Sequence, residues 1–309
     1  VNLGAIEFLP TGMPGNEILW LAVIALFAAV INGALGYGFS SITVPLALLF
    51  LTSRILNPAL VLVEIGINLY VLAISWRSAA AAARRTAAIL LGLLPGVLLG
   101  SRFLATLSPE AVKLFTYVVL LPLILMQAGG LRRPFRAERA LGLPFGVGVG
   151  LLYSLTTVSG PPLAVWFNNQ GYAKQEFRAS LAVVRVAESS MTAAVYASLG
   201  LLTPQSLALI PSILVPVLVG VPLGTLLIRR IDAETFRRIC MSFDAWIVGF
   251  GLSRVLGQMR LAPERPAYLV LALVVAIDAL LLVRYFRGRS RLRLARSELS
   301  APPTRDSEP

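Results

Sequence analysis

Two stretches of this chain place small polar residues, Gly and Pro inside long apolar runs: Asn32-Gly-Ala-Leu-Gly-Tyr-Gly-Phe-Ser-Ser-Ile-Thr-Val-Pro45 and Tyr153-Ser-Leu-Thr-Thr-Val-Ser-Gly-Pro-Pro162. The run that holds the first, Ile18 to Leu51, would reach roughly 50 Å as one helix at about 1.5 Å per residue, well beyond a hydrocarbon core of about 30 Å. The chain must therefore give way inside it, and Gly33, Gly36 and Gly38 mark where, because Gly weakens a helix interior and permits a positive φ. Non-helical backbone at membrane depth survives only where it is buried in protein or lines a cavity.

That argument needs a membrane, and the composition supplies one. Hydrophobic residues make up 57% of the 309 and charged residues 14%, with a mean hydropathy of +0.80. The apolar residues fall in runs near membrane-spanning length, so an all-α polytopic membrane protein is expected. The net charge of +12 is carried by Arg between the runs and in the tail, where it reads as a topology signal rather than a nucleic-acid surface. With no His and a single Cys, Cys240, no metal site, cofactor or disulfide within the chain is expected. Residues Val1 to Asn16 lack a basic segment followed by a cleavage site, so no removable signal peptide is read there.

Besides the two interrupted runs, Ile18 to Leu51 and Leu141 to Phe167, seven apolar segments follow: Pro58 to Trp76, Ala87 to Leu104, Val112 to Gln127, Ala179 to Leu199, Leu207 to Ile228, Ile239 to Leu256 and Tyr268 to Tyr285. Arg-rich loops belong on the cytoplasmic side. If every run crossed once, the clusters at Arg139 and at Arg229 to Arg238 would fall on opposite sides. They agree if each interrupted run turns back, although the Ser253 to Pro266 turn, with Arg254, Arg260 and Arg265, then lies outside. One broken span in each half is the alternative. With each run turned back, three crossings per half make the chain an inverted repeat of two halves, each a re-entrant or broken helix plus three transmembrane helices, with an extra C-terminal helix. The boundaries are 1–17 for an extracytoplasmic start, 18–131 and 141–257 for the repeats around a cytoplasmic linker at 132–140, 258–286 for the added helix, and 287–309 for a disordered, basic cytoplasmic tail. Trp20, Trp76, Trp166 and Tyr285 fall near run ends, as in an aromatic belt.

Opposed tips would present backbone N–H groups and hydroxyls to a shared cavity, with helices restarting near Ser40 and Pro161. Partial positive charge at such half-helix starts suits an anion; close helix packing by Gly and Ser is the plainer reading. Candidate substrate-binding residues are Tyr37, Gly38, Ser40, Ser41, Thr43, Asn68, Thr156, Thr157, Ser159, Gly160 and Arg185. Ionised side chains inside spans are costly and rare. Arg185 reads as a substrate counter-charge and Glu64 or Glu188 as a proton acceptor, against a structural Arg185–Glu188 pair at i, i+3. Sliding the halves by 120 residues sets Asn68 over Glu188. Asp244 and Asp278 are each alone in their runs and are expected to pair with a loop Arg or face water.

The Gly-rich break running into Val44-Pro-Leu46, with a second break ending Pro161-Pro-Leu163, resembles the TauE/SafE sulfite exporter family over roughly Leu19 to Leu256. Thr156-Thr-Val-Ser-Gly160 stands where the family has a richer glycine cluster, and Tyr37 and Phe39 interrupt the first. The resemblance implies a bacterial inner-membrane, multi-pass carrier for small sulfur-containing anions such as sulfite, sulfoacetate or other organosulfonates, like the 4-toluene sulfonate uptake permeases. With no P-loop, alternating access driven by a gradient, of protons by preference, is expected. A passive anion channel and an accessory membrane subunit are the alternatives, and an enzyme is not expected. Membrane lipid and a small anion are the expected partners, with a homodimer as the candidate assembly and no nucleic acid.

Overall fold

The computed structural model describes residues 15–35, 38–129, 138–172, 174–227 and 233–299. Every regular element among them is a helix. In order these are α1 (Gly15–Leu35), α2 (Phe39–Ala47), α3 (Ser53–Ile74), α4 (Trp76–Arg85), α5 (Ala87–Thr106), α6 (Pro109–Gly129) and α7 (Glu138–Thr156). The second half continues with α8 (Gly160–Asn169), α9 (Lys174–Ser198), α10 (Pro204–Ala208), α11 (Ile210–Leu227), α12 (Ala233–Gln258), α13 (Glu264–Ala267) and α14 (Leu269–Leu299). Among the described residues, seven stretches are long and apolar enough to cross a membrane: those of α1, α3, α5, α6, α10 with α11, α12 and α14. The protein is a polytopic helical membrane protein. Its outer faces carry exposed Leu91, Leu218 and Leu269, as a lipid-facing surface requires.

Both long runs break where the sequence marks them. Gly38 sits at φ 105° and opens α2, and Thr157 at φ 57° precedes the restart at Gly160. Gly33 remains inside α1, while Gly36 and Tyr37 lie outside the described residues. The resulting short helices, α2 and α8, are enclosed almost all round. An apolar helix of nine or ten residues without a polar face belongs in the interior of a bundle.

Glycine notches align the longest pairings. A Cβ on Gly92, Gly96 or Gly100 of α5 would collide with the carbonyls of Leu143, Val147 and Leu151 of α7, so the two backbones touch in parallel register. Gly220 and Gly224 of α11 meet Leu26 and Val30 of α1 in the same sense, and Gly33 meets Val221. Small residues every fourth position let transmembrane helices approach this closely. By contrast α3 and α9 run antiparallel. Asn57 lies beside Tyr196, Glu64 bonds Arg185, and Arg85 at the end of α4, the helix after α3, pairs with Glu176 at 2.5 Å.

These contacts also fix where α7 and α8 begin and end. Gly142, near the start of α7, abuts Ala88, and Tyr172, just past α8, lies under the Arg85 guanidinium at 3.6 Å. The unit enters and leaves beside the same end of α5. Three sequence expectations change. Residues 287–299, expected to be disordered, are helical in α14, while 300–309 and 1–14 lie outside the described residues. Trp166 is no belt residue, because it is buried and stacks on Phe145 at 4.2 Å, whereas Trp20 and Trp76 are exposed. The stretch with Arg77, Arg84 and Arg85, which as an Arg-rich segment between apolar runs reads as a cytoplasmic loop, is the amphipathic helix α4, with Ala82 buried and Arg84 and Arg85 outward.

Candidate functional site

The two breaks deliver hydroxyls to two buried carboxylates. Ser40, in the first turn of α2, donates to Glu64 Oε1 of α3, and Ser159, just before α8, donates to Glu188 Oε1 of α9. Glu64 also accepts from the Tyr153 hydroxyl at 2.7 Å and from Arg185 Nη2 at 2.9 Å. Arg185 Nε stands 4.0 Å from Glu188 Oε1. Both glutamates are fully buried and Arg185 is 4% exposed. The cluster thus joins α2, α3, α7, α9 and the turn before α8, drawing on both halves of the chain.

Arg185 is therefore not a free counter-charge. Its close partner is Glu64, 121 residues away, rather than Glu188 three positions on. A carboxylate already bonded by Ser40 and Tyr153 offers a preformed anion for the guanidinium, and charge-assisted bonds of this kind are the strong ones. Within this cluster two carboxylates face one guanidinium. With both glutamates ionised the cluster carries one excess negative charge, in a place where a lone ionised group costs on the order of 3 kcal/mol on insertion scales.

Some bonding capacity stays unused. Arg185 Nε, Glu188 Oε2 and Asn68 Nδ2, one turn beyond Glu64, are buried without hydrogen-bond partners. Buried polar groups are nearly always bonded, so each such orphan calls for an explanation. Two of the three are donors, which is what an arriving oxyanion needs.

The other sequence candidates divide. Thr156 and Thr157 serve the break itself: Thr156 Oγ1 donates to the Leu152 carbonyl at 2.7 Å and accepts from Val158 N at 3.2 Å, while Thr157 Oγ1 donates to the Thr156 carbonyl at 2.7 Å. Gly38 and Gly160 shape the two restarts. Thr43 Oγ1 is buried without a partner on α2, and Tyr37 lies outside the described residues. Ser41 stands apart from the cluster: it donates to the Gly38 carbonyl at 3.0 Å and lines a small cavity with Asp244. Among the described residues neither aspartate meets a loop Arg: Asp278 accepts from Ser242 and Trp246, each at 2.9 Å. Tyr153 escaped the sequence reading because a tyrosine in an apolar run carries no polar signature; its place three residues before Thr156 was the one available signal. A tyrosine hydroxyl buried at such a break needs a partner, and Glu64 is it.

Parallel glycine-notched helices, two broken runs and an ion cluster in the interior make this a multi-pass membrane protein with a charged interior site, and the family model that it matches is one of membrane transporters. The chain belongs to the sulfite exporter TauE/SafE family, whose model matches residues 21–252. No curated protein and no solved structure matches it. The matched segment ends within α12, so α14 lies beyond it.

Proposed function

We propose that this protein is a secondary transporter that moves a small sulfur-containing anion, such as sulfite, sulfoacetate or another organosulfonate, across the bacterial inner membrane in company with a proton. The observation that carries this reading is the buried Glu64–Arg185–Glu188 cluster with its unused donors, Arg185 Nε and Asn68 Nδ2. An anion entering beside two ionised carboxylates meets net repulsion. A proton on Glu188 removes one negative charge, frees Arg185 Nε from its nearest competing carboxylate and leaves the guanidinium and Asn68 amide to hold the anion. Anion and proton then bind together more readily than either alone, which is coupling in the thermodynamic sense.

Alternating access follows from the arrangement of the halves. The reading takes α1/α2 and α7/α8 as oppositely inserted hairpins and the halves as an inverted repeat; support comes from the antiparallel α3 and α9 and the parallel α1/α11 and α5/α7 pairs. The charge cluster then lies where the halves meet, and rocking of one against the other opens it to either side. The positive-inside pattern places the C-terminal end in the cytoplasm. The test is saturable uptake of sulfite, sulfoacetate, taurine or sulfate by purified protein in liposomes, with and without an imposed pH gradient. Accumulation driven by the gradient is the expected result. Absence of saturable flux for every one of these anions would refute the reading.

A further inference from the structure

Consecutive serines in the first turn of α2 face two different carboxylates. Ser40 bonds Glu64 on α3, and Ser41 lines one small cavity together with Asp244 on α12. Asp244 is 7% exposed, and its Oδ1 has no partner. Among the described residues it forms no ion pair. It faces a cavity of about 10 Å³ between the two breaks, lined by Gly38, Ser41, Ile124, Pro161, Cys240 and Met241 among others.

We propose that Asp244 is a second proton-binding site, separate from the Glu64–Glu188 cluster, whose proton controls the first break through Ser41. This rests on the transporter reading but is tested without any substrate. The cavity is at the lower limit for a single water, and among the described residues it offers too few oxygens for a metal cation: besides Asp244 and Ser41 those in its walls are aliphatic, sulfur-bearing or backbone. A proton needs no such shell. Titratable chains within spans often mark proton paths.

Ser41 Oγ has one proton, and it is placed to donate to the Gly38 carbonyl at 3.0 Å. While it does so, it can offer Asp244 only a lone pair, and a bond between them requires a proton on Asp244. Once Asp244 loses that proton, its carboxylate draws the Ser41 hydroxyl to itself and the Gly38 carbonyl loses a donor at the left-handed residue that opens α2. The residue before Ser41, Ser40, moves with the same turn and holds Glu64, so protonation at Asp244 is felt at the anion cluster. Among the described residues, the titratable groups on the elements packed against Asp244 stand off the cavity. On its own helix Cys240 alone among titratable chains lines the cavity. Lys113 and Tyr117 on α6, Asp278 on α14 and Arg265 on α13 do not line it, and α1 contributes Ile31 and Leu35.

Infrared difference spectra of the purified protein in lipid nanodiscs, recorded across a pH titration with no anion added, decide the matter. The wild type should show the C=O stretch of a protonated carboxylic acid that titrates, and Asp244→Asn should lose one carboxyl's share of it. Ser41→Ala should keep that band but move it to higher frequency, because the acid loses its acceptor. A spectrum unchanged in Asp244→Asn, or a band unmoved in Ser41→Ala, would overturn the proposal. Should Asp244→Asn fail to fold, the Ser41→Ala shift alone gives the answer. Failure of anion flux in liposomes leaves this readout standing, so the two claims fail separately.

Discussion

Arg185 binds its neighbours differently from the way its sequence position implies. The i, i+3 spacing points to Glu188, yet Glu64 takes the close contact because Ser40 and Tyr153 already hold that carboxylate in place. Removing one member of a buried pair strands the other charge, at a cost of about 3–5 kcal/mol. Arg185→Ala should therefore lower the thermal midpoint of the detergent-solubilised protein sharply and abolish flux. Arg185→Gln combined with Glu64→Gln should recover most of the stability without recovering transport. Equal midpoints for Arg185→Ala and the wild type would show that the pair is not what holds α3 to α9. The residue types were legible in the sequence: Glu64, Arg185, Glu188, Ser40 and Ser159 all stood out as polar groups in apolar surroundings. Their pairing was not, since Glu64 and Arg185 are 121 residues apart and a single sequence carries no distance between them.

Helix pairing rests on glycine rather than on side-chain volume. α5 and α7 touch backbone to backbone through Gly92, Gly96 and Gly100, and nothing in lipid replaces that contact by a hydrophobic effect. A Cβ at Gly96 would strike the Val147 carbonyl, whereas one at Gly148, on the same pair, meets nothing within 4 Å. Gly96→Leu should cost about 1–3 kcal/mol or more, in the range of overpacked cores. Gly148→Leu should stay within about 0.5 kcal/mol of the wild type, as open positions do. Thermal unfolding of the two variants measures this, and equal losses would mean that the notches do not set the pairing. The break positions were legible because Gly, Thr and Pro clusters have a direct backbone consequence. The helix α4 was not, because Ala and Arg between two apolar runs read equally well as a charged loop; only the burial of Ala82 distinguishes its inner face.

Across the whole molecule, loop charge already favoured turned-back units, and the contacts of Gly142 with Ala88 and of Tyr172 with Arg85 bring both ends of α7/α8 to one end of α5. Cysteine scanning in a Cys240→Ser background extends this to the membrane. Arg84→Cys and Gly171→Cys should react with a membrane-impermeant thiol reagent from the same side, and Ser108→Cys and Thr203→Cys from the other. Labelling of Gly171→Cys from the side opposite Arg84→Cys would make α7/α8 a crossing unit and refute the proposed inverted repeat.

The central claim is that a cluster of two carboxylates and one guanidinium ties an anion to a proton. The direct measurement is the internal pH of proteoliposomes when an inward sulfite gradient is applied, corrected by protein-free vesicles. Wild-type protein should carry protons inward with the anion, and Glu188→Gln should uncouple the two. Saturable sulfite entry with no protein-dependent proton movement would contradict the account.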